Sequence, residues 1–354
     1  MSRKTPGLGH PTSLNGVKPR PVRRGVMDTL RISAEAERLL PFARMVLDRY
    51  PFKVATVQHL ATHSNVMYRV VLADGRQCVL RVGTPHANTR QNIEFEVAWL
   101  AALNKETHLD VVEPIPTGYG GFVVEAAEPG STLKRSCVLF SWVPGVPLGT
   151  GAGTFGYRLL GRMSASLHIH ARDWIPPHPD RMRLWDRVFY YDPGADPVVI
   201  DEGTHDHIFT APRRKIIHRA IDLANLAIDL EWQTARPQVV HGDLHEWNVH
   251  MAKSRLYAFD FEDVMVATTA QDVSVSLYSS RQRDDHPAVR SAFRKGYEEI
   301  APWPVADDQR IDMFHAARQI MLMNYAARVL PQAEGMAYAQ DVMPWLEGFV
   351  RKYG

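Results

Sequence analysis

Cysteine is nearly missing from this chain of 354 residues: only Cys78 and Cys137 occur, each inside an apolar run. A disulfide framework is thereby excluded, and both read as buried thiols of a protein held in a reducing compartment. Long apolar stretches are missing too. No run approaches the roughly 18 residues a membrane helix needs, and the N-terminus lacks the apolar segment of a secretory signal. A cytoplasmic location is expected, with no membrane partner. Nor is there an excess of one charge. The net charge of +2 gives nucleic acid no bulk electrostatic hold. Repeats and low-complexity segments are absent beyond residues 1–25, where Pro, Gly, Ser and basic residues predict a disordered basic tail.

What is present points to a globular protein longer than one core usually supports, so two lobes are expected. Apolar residues recur at helical spacing from Thr29 to Tyr50, and Tyr50-Pro51 ends that helix. Residues 53–83 read as three strands. Met67 to Leu72 and Gln77 to Val82 flank Ala73-Asp74-Gly75, and Asp-Gly between β-rich runs signals a hairpin. A helix follows from about Asn92 to Asn104, with Ile93, Val97, Leu100 and Leu103 on its apolar face. Two more strands are expected at Gly121–Glu125 and Cys137–Val143, the second leaving abruptly at Pro144-Gly145. The pattern then turns helical: Tyr157 to His170, Arg213 to Trp232, a helix begun by Gln271-Asp272, and three or four helices over 286–351. His168 and His170 close a helix, where histidine complements the dipole, and receive no catalytic role.

The chemistry concentrates in residues 239–263. Val239-Val240 delivers His241-Gly242-Asp243, and Leu256 to Phe259 delivers Asp260. Between them lies a short hairpin, Val249 to Met251 and Leu256 to Ala258, joined by the polar turn 252–255. Such a hairpin returns Asp260 to the neighbourhood of Asn248 and Asp243. Two carboxylates and an amide converging there suit a hard cation plus a group that takes up a proton. The plainer reading is turns, which single Asp, Gly and Asn residues at strand ends usually make. His241, His245 and His250 raise zinc, but their spacing is not that of a helical pair and no cysteine lies near.

This stretch resembles the catalytic core of kinase-fold phosphotransferases: Asn248 follows Asp243 by five positions, and Asp260 opens Asp-Phe-Glu after a hairpin. The spelling His-Gly-Asp-Leu-His looks like the aminoglycoside phosphotransferase/choline kinase superfamily; eukaryotic protein kinases write His-Arg-Asp. The resemblance implies an α+β, bilobal, protein-kinase-like fold. A small antiparallel N-lobe (residues 26–143) would bind nucleotide, and a mainly helical C-lobe (residues 144–354) would carry the catalytic loop and the acceptor site. Asp243 would orient or deprotonate the acceptor hydroxyl, Asn248 and Asp260 would hold Mg²⁺ ions, and His241 and Asp272 would support the loop. Arg81 stands where the family commonly has Lys; it would grip phosphate, fixed in place by Glu96. Glu94, two positions away, faces elsewhere and serves as a control. The turn at 62–65 falls where the family covers the phosphates, with Ser64 and Asn65 as polar contacts, although it contains no glycine. Ser141 (carbonyl) and Val143 (amide) match the hinge that binds adenine.

The resemblance implies ATP- and Mg²⁺-dependent transfer of a γ-phosphate, GTP being possible, to a hydroxyl of a small molecule such as an aminoglycoside or amino alcohol. The acidic and aromatic segment 174–212 (Trp185, Tyr190, Tyr191, Asp192, Asp196, Asp201, Glu202) would suit a cationic acceptor. It would equally pack a surface insertion. Two alternatives stand beside this reading: a protein Ser/Thr kinase of the same superfamily, and a nucleotide-binding regulator without catalysis. The glycine-free turn and Arg81 favour the regulator; Asp243, Asn248 and Asp260 oppose it.

Overall fold

Period-2 patterning in the first part of the chain becomes one antiparallel sheet. The computed structural model describes residues 26–354 except 86–87, 152 and 195, with side chains from residue 34 onward. The basic tail expected over residues 1–25 lies outside the described residues. Helix α1 (Val26–Leu47) precedes β1 (Val54–Thr62), β2 (Val66–Leu72) and β3 (Gln77–Val82); α2 (Arg90–Glu106), β4 (Val123–Ala127) and β5 (Lys134–Ser141) follow. The sheet order is β1-β2-β3-β5-β4, with all pairs antiparallel. β2 shows why: every second residue from Val66 to Leu72 is buried, the alternation of a strand with one face against a core. The β2–β3 turn closes where Asp-Gly foretold it, with Gly75 at φ +86° and the Gly75 amide donating to Leu72 O at 3.0 Å.

The two faces of the sheet meet different helices. Leu39, Phe42, Ala43 and Val46 of α1 pack on Tyr68, Val70, Leu80 and Leu139, a core that also holds both free cysteines. Burial there pushes the Cys137 thiol up to about 12, so it stays protonated and inert. The opposite face carries Val138 and Phe140, which join α2 (Ile93, Val97, Leu100, Leu103) in the main core. The last two strands differ by two or three residues from expectation. Gly120 and Gly121, both at positive φ, turn before β4 begins, and Trp142 has already left β5.

Beyond the sheet come β6 (Val146–Pro147), α3 (Thr154–Asp173), α4 (Ala211–Thr234), β7 (Gln238–Val240), β8 (Val249–Ala252), β9 (Arg255–Ala258) and β10 (Met265–Ala267). Then come α5 (Thr269–Tyr278), α6 (His286–Glu298), α7 (Asp308–Val329) and α8 (Gln332–Tyr353). Two small ribbons frame the site: β7 pairs with β10, and β6 pairs with the β8–β9 hairpin. At the tip of that hairpin Lys253 and Ser254 both take left-handed backbone, as a two-residue hairpin loop demands even without glycine. α5 starts with a reciprocal cap between Thr268 and Gln271. α7 is buried along most of its length and forms the axis of the helical part. The chain thus has a mixed α+β, two-lobed kinase-like fold.

Candidate active site

The loop 241–248 leaves β7 with its backbone pressed against the segment that follows β9. Gly242 sits at φ +77°, and a Cβ there would lie 2.3 Å from the carbonyl oxygen of Asp263. No side chain fits. Gly242→Ala should therefore destabilise the fold by at least about 2 kcal/mol, the sum of a left-handed backbone cost and a clash with main chain. Thermal denaturation reads this directly; an unchanged melting temperature would mean that the loop can move aside.

A chain of polar contacts fixes the same loop from below. The Gly242 amide donates to Asp272 Oδ1 at 2.8 Å, and Asp272 Oδ2 lies 2.9 Å from His168 Nε2. His168 Nδ1 in turn meets the Tyr297 hydroxyl at 2.9 Å. Asp272 thus ties the backbone of the loop to α3. His168 requires a correction: it lies inside α3, five residues before the helix ends, and is buried on Asp272 instead of complementing a dipole. His241 accepts from the Asp243 amide through Nδ1 (3.3 Å) and donates from Nε2 to Phe259 O (3.3 Å). Its ring also packs on Phe261 with centroids 4.3 Å apart. Burial lowers its pKa and keeps it neutral, as one accepting and one donating nitrogen require.

Asp243, Asn248 and the start of the Asp260 segment meet as the hairpin implied. Asn248 Nδ2 donates to both the backbone oxygen and Oδ2 of Asp243, each at 2.9 Å. The Phe259 amide donates to Asn248 O at 3.1 Å, bringing Asp260 beside them. With its amide nitrogen engaged, Asn248 has Oδ1 left for a cation. Asp260 adopts left-handed backbone (φ +64°), strain of a kind that collects at functional sites. Its carboxylate opens to the cleft while protein surrounds it at longer range. Burial in that cleft, then repulsion from Glu262, Asp243 and Asp263, pushes its pKa well up. Such mutual repulsion calls for a cation. Among the described residues no three His, Cys, Asp or Glu side chains form a ready-made metal cage. Two hard oxygens beside an open cleft fit Mg²⁺, which keeps waters and substrate phosphates as its other ligands.

Asp243 itself is 3% exposed and ion-paired to Arg318 of α7, whose Nη2 contacts Oδ1; His245 Nε2 stands 3.4 Å from Oδ2. Burial alone would raise the Asp243 pKa. Arg318, with His245 and His241, outweighs it and holds the carboxyl below the ordinary Asp range.

Across the cleft, Arg81 Nη1 and Nη2 donate to the two oxygens of Glu96 at 2.8 and 2.5 Å, a buried bidentate pair. Two of its five N–H donors are used there. Glu94 pairs instead with Arg90 on the surface, as expected of the control. At the 62–65 turn, Ser64 is exposed and its carbonyl accepts from Thr84 Oγ1 at 2.5 Å. Asn65 is buried and donates to Glu262 Oε2 at 2.7 Å, while Asn88 donates to Glu262 Oε1 at 2.6 Å. The cavity between Arg81, Asn65, Asn88 and Glu262 is only about 40 Å³, room for about one water. A phosphate chain entering here must part Glu262 from the two asparagines. At the end of β5 the Ser141 amide donates to Glu113 O (2.8 Å) and its hydroxyl accepts from the Glu113 amide (2.9 Å). Val143 follows one residue past Trp142, on the irregular segment that leads to β6. A larger concavity of about 610 Å³, bounded by Asp186, Asn225, Asp229 and Trp232, contains none of these groups.

Several site residues escaped the sequence reading. Glu262 and Asp263 directly follow Asp260-Phe261, and only their position beside a candidate ligand signalled them. Asp263 Oδ1 accepts from the Tyr191 hydroxyl at 2.8 Å and faces Arg183 Nη1 at 3.4 Å, so the 174–212 segment does reach the cleft. It does so through Tyr191 and Arg183, not its acids: Asp196 pairs with Arg328, and Asp201 pairs with His218 and Arg214. Arg318 left one trace, a lone cation within Ala316-Ala317-Arg318-Gln319-Ile320.

Comparison with known proteins agrees with this geometry. An uncharacterized protein (sll1119) of Synechocystis sp. is 28% identical over 256 residues, which is 70% of this chain and 66% of that protein. Amicoumacin kinase of Bacillus subtilis is 25% identical over 239 residues, 65% of each chain. The chain therefore spans just under two thirds of the length of these curated relatives. The solved structure of a microcompartment-associated aminopropanol kinase superposes with a TM-score of 0.74 at 21% identity, over 89% of this chain and 98% of that one. A family model for phosphotransferase enzymes matches residues 56–312, the span from within β1 through β10, the loop 241–248 and most of the helices, and the chain belongs to that phosphotransferase enzyme family.

Proposed function

We propose that this protein is a kinase of small molecules, transferring the γ-phosphoryl group of ATP to a hydroxyl with the help of Mg²⁺. The observation that carries this reading is the direct tie of Asp243 to Asn248, and of Asn248 to the residue before Asp260, at the mouth of one cleft. A binding module has no need of a buried carboxylate held ionised at that place. The relatives named as kinases of small molecules support the same class of acceptor.

In this reading Asn248 Oδ1 and Asp260 would hold Mg²⁺, which when bound would neutralise charge on the nucleotide phosphates. Arg81, fixed by Glu96, takes the phosphate oxygens; Ser64 and Asn65 offer polar contacts from above; Ser141 and Val143 present backbone groups to the base. Asp243 accepts the hydrogen bond of the acceptor hydroxyl and aligns its oxygen. Phosphoryl transfer runs through a loose transition state, so positioning and charge supply most of the acceleration, and a strongly basic Asp243 is not required. The replacement of Lys by Arg81 leaves the grip intact through its bidentate pair. That weakens the case for a silent regulator.

Transfer of labelled phosphate from Mg-ATP, and separately Mg-GTP, to a panel of aminoglycosides, amino alcohols, sugars and nucleosides tests the proposal. Turnover of one class is the expected result; tight Mg-nucleotide binding without turnover of any acceptor, or phosphorylation of protein alone, would refute it. Within the same assay Glu96→Gln should lower kcat/KM for nucleotide by about 10-fold or more, because losing a charged partner of a buried Arg costs upwards of about 1.4 kcal/mol. Glu94→Gln should leave it unchanged. Equal losses in both would mean that the Arg81–Glu96 pair has no special part.

A further inference from the structure

We propose that Arg318, on helix α7, is a positioning residue for phosphoryl transfer, acting through Asp243. The inference rests on the kinase reading above, and three observations carry it. Arg318 is 5% exposed and its guanidinium contacts Asp243 Oδ1 directly, from an element that lies well beyond the catalytic loop in sequence. Its Nε is buried with no hydrogen-bond partner among the described residues. A cation so poorly satisfied elsewhere is not placed there for fold stability alone, since a hydrophobic residue of similar volume is often as good or better in a core. Finally, α7 is a stiff mount. His315 Nε2 bonds Ser274 O of α5 at 2.9 Å, and Asn324 bonds both the Val199 amide (2.8 Å) and Pro197 O (3.0 Å) of the 174–212 segment.

The consequence is geometric. A carboxylate on a short side chain keeps one rotamer only if both oxygens are held. Asn248 Nδ2 holds Oδ2 from within the loop, and Arg318 holds Oδ1 from outside it. Between them they set the plane of the carboxylate. An acceptor oxygen aligned on that plane is in line for transfer; a carboxylate free to rotate by tens of degrees misplaces it by about 1 Å, which can cost about 10²-fold. Arg318 also lies close to the ring pair Tyr190 and Tyr191 and to Asp263, so the acceptor side of the cleft and the base share one support.

The test is a double-mutant cycle with full-length protein. Hydrolysis of Mg-ATP, with water as acceptor, and transfer to the best alcohol of the panel are both measured for Arg318→Met, Asp243→Asn and the double variant. Arg318→Met should lower kcat by about 10–10²-fold with KM for ATP unchanged. Arg318→Lys, which restores a cation but not the fork, should recover part of the loss; it also carries the comparison if the Met variant does not fold. The double variant should be no slower than Asp243→Asn, because a residue acting through another has nothing further to lose. Multiplicative losses would overturn the proposal, as would a kcat unaffected by either Arg318 variant. No transfer by the native protein to any acceptor would sink the kinase reading itself; normal turnover in Asp243→Asn would remove Asp243 from the chemistry, and the positioning role with it. Loss in Asp243→Asn but not in Arg318→Met or Arg318→Lys would sink the positioning role alone.

Discussion

Asp243→Asn should abolish most turnover, by about 10²–10⁴-fold, and leave Mg-nucleotide binding within a factor of a few. The substitution keeps shape and removes the charge. Its oxygen can still accept from Arg318, but the new NH₂ then faces Asn248 Nδ2, donor against donor, at a site where the native contact is 2.9 Å. A stability cost of about 1–3 kcal/mol follows from that mismatch. Asp243→Ala should cost more, about 3–5 kcal/mol, because Arg318 would stay buried and lose its only charged contact at hydrogen-bond range among the described residues. Single-turnover kinetics, calorimetry with Mg-AMP-PNP and thermal melts of both variants separate these effects. Undiminished turnover in the Asn variant would remove Asp243 from the chemistry.

Asp260→Asn should remove the divalent-dependent part of nucleotide affinity, a loss of about 10²-fold or more, since even outer-shell partners of a metal site are worth 10–100-fold. Asn is the proper probe because residue 260 sits at φ +64°, where Asn is tolerated and most other side chains are strained. The same variant should melt no lower than the native protein without metal. Its carboxylate is pushed toward protonation by burial and then by Glu262, Asp243 and Asp263, so removing the charge relieves both costs, which a bound cation would otherwise offset. Native protein should gain melting temperature on adding Mg-nucleotide, and the variant should not. Equal gains in both would exclude Asp260 as a ligand.

How much of this was legible beforehand depended on how local each relation was. The β2–β3 hairpin needed only Asp-Gly and two alternating runs. The return of Asp260 to Asn248 needed only a hairpin of known length. The Arg81–Glu96 pair needed a strand, a helix and the choice of the acid on the inner face, and Glu94 on the other side behaved accordingly. His168 was misjudged because helix ends are uncertain from sequence: α3 runs three residues beyond His170, which turns a supposed cap into an interior, buried partner of Asp272. For the acids of 174–212 the sequence leaves two readings open, a cationic acceptor or a packed surface insertion, because composition cannot say which way a loop residue points. Asp196 pairs with Arg328, and Asp201 with Arg214 and His218.

Read alone, the chain of residues determined its elements, its class and the cluster at 239–263, because periodicity, turn chemistry and five-residue spacing act over short stretches. Tertiary structure alone decided what touches Asp243. Arg318 comes from a helix whose pattern says only that it is buried, and a guanidinium on a buried face signals a partner without naming it. Long-range pairing depends on how rigid helices pack, which no local preference encodes.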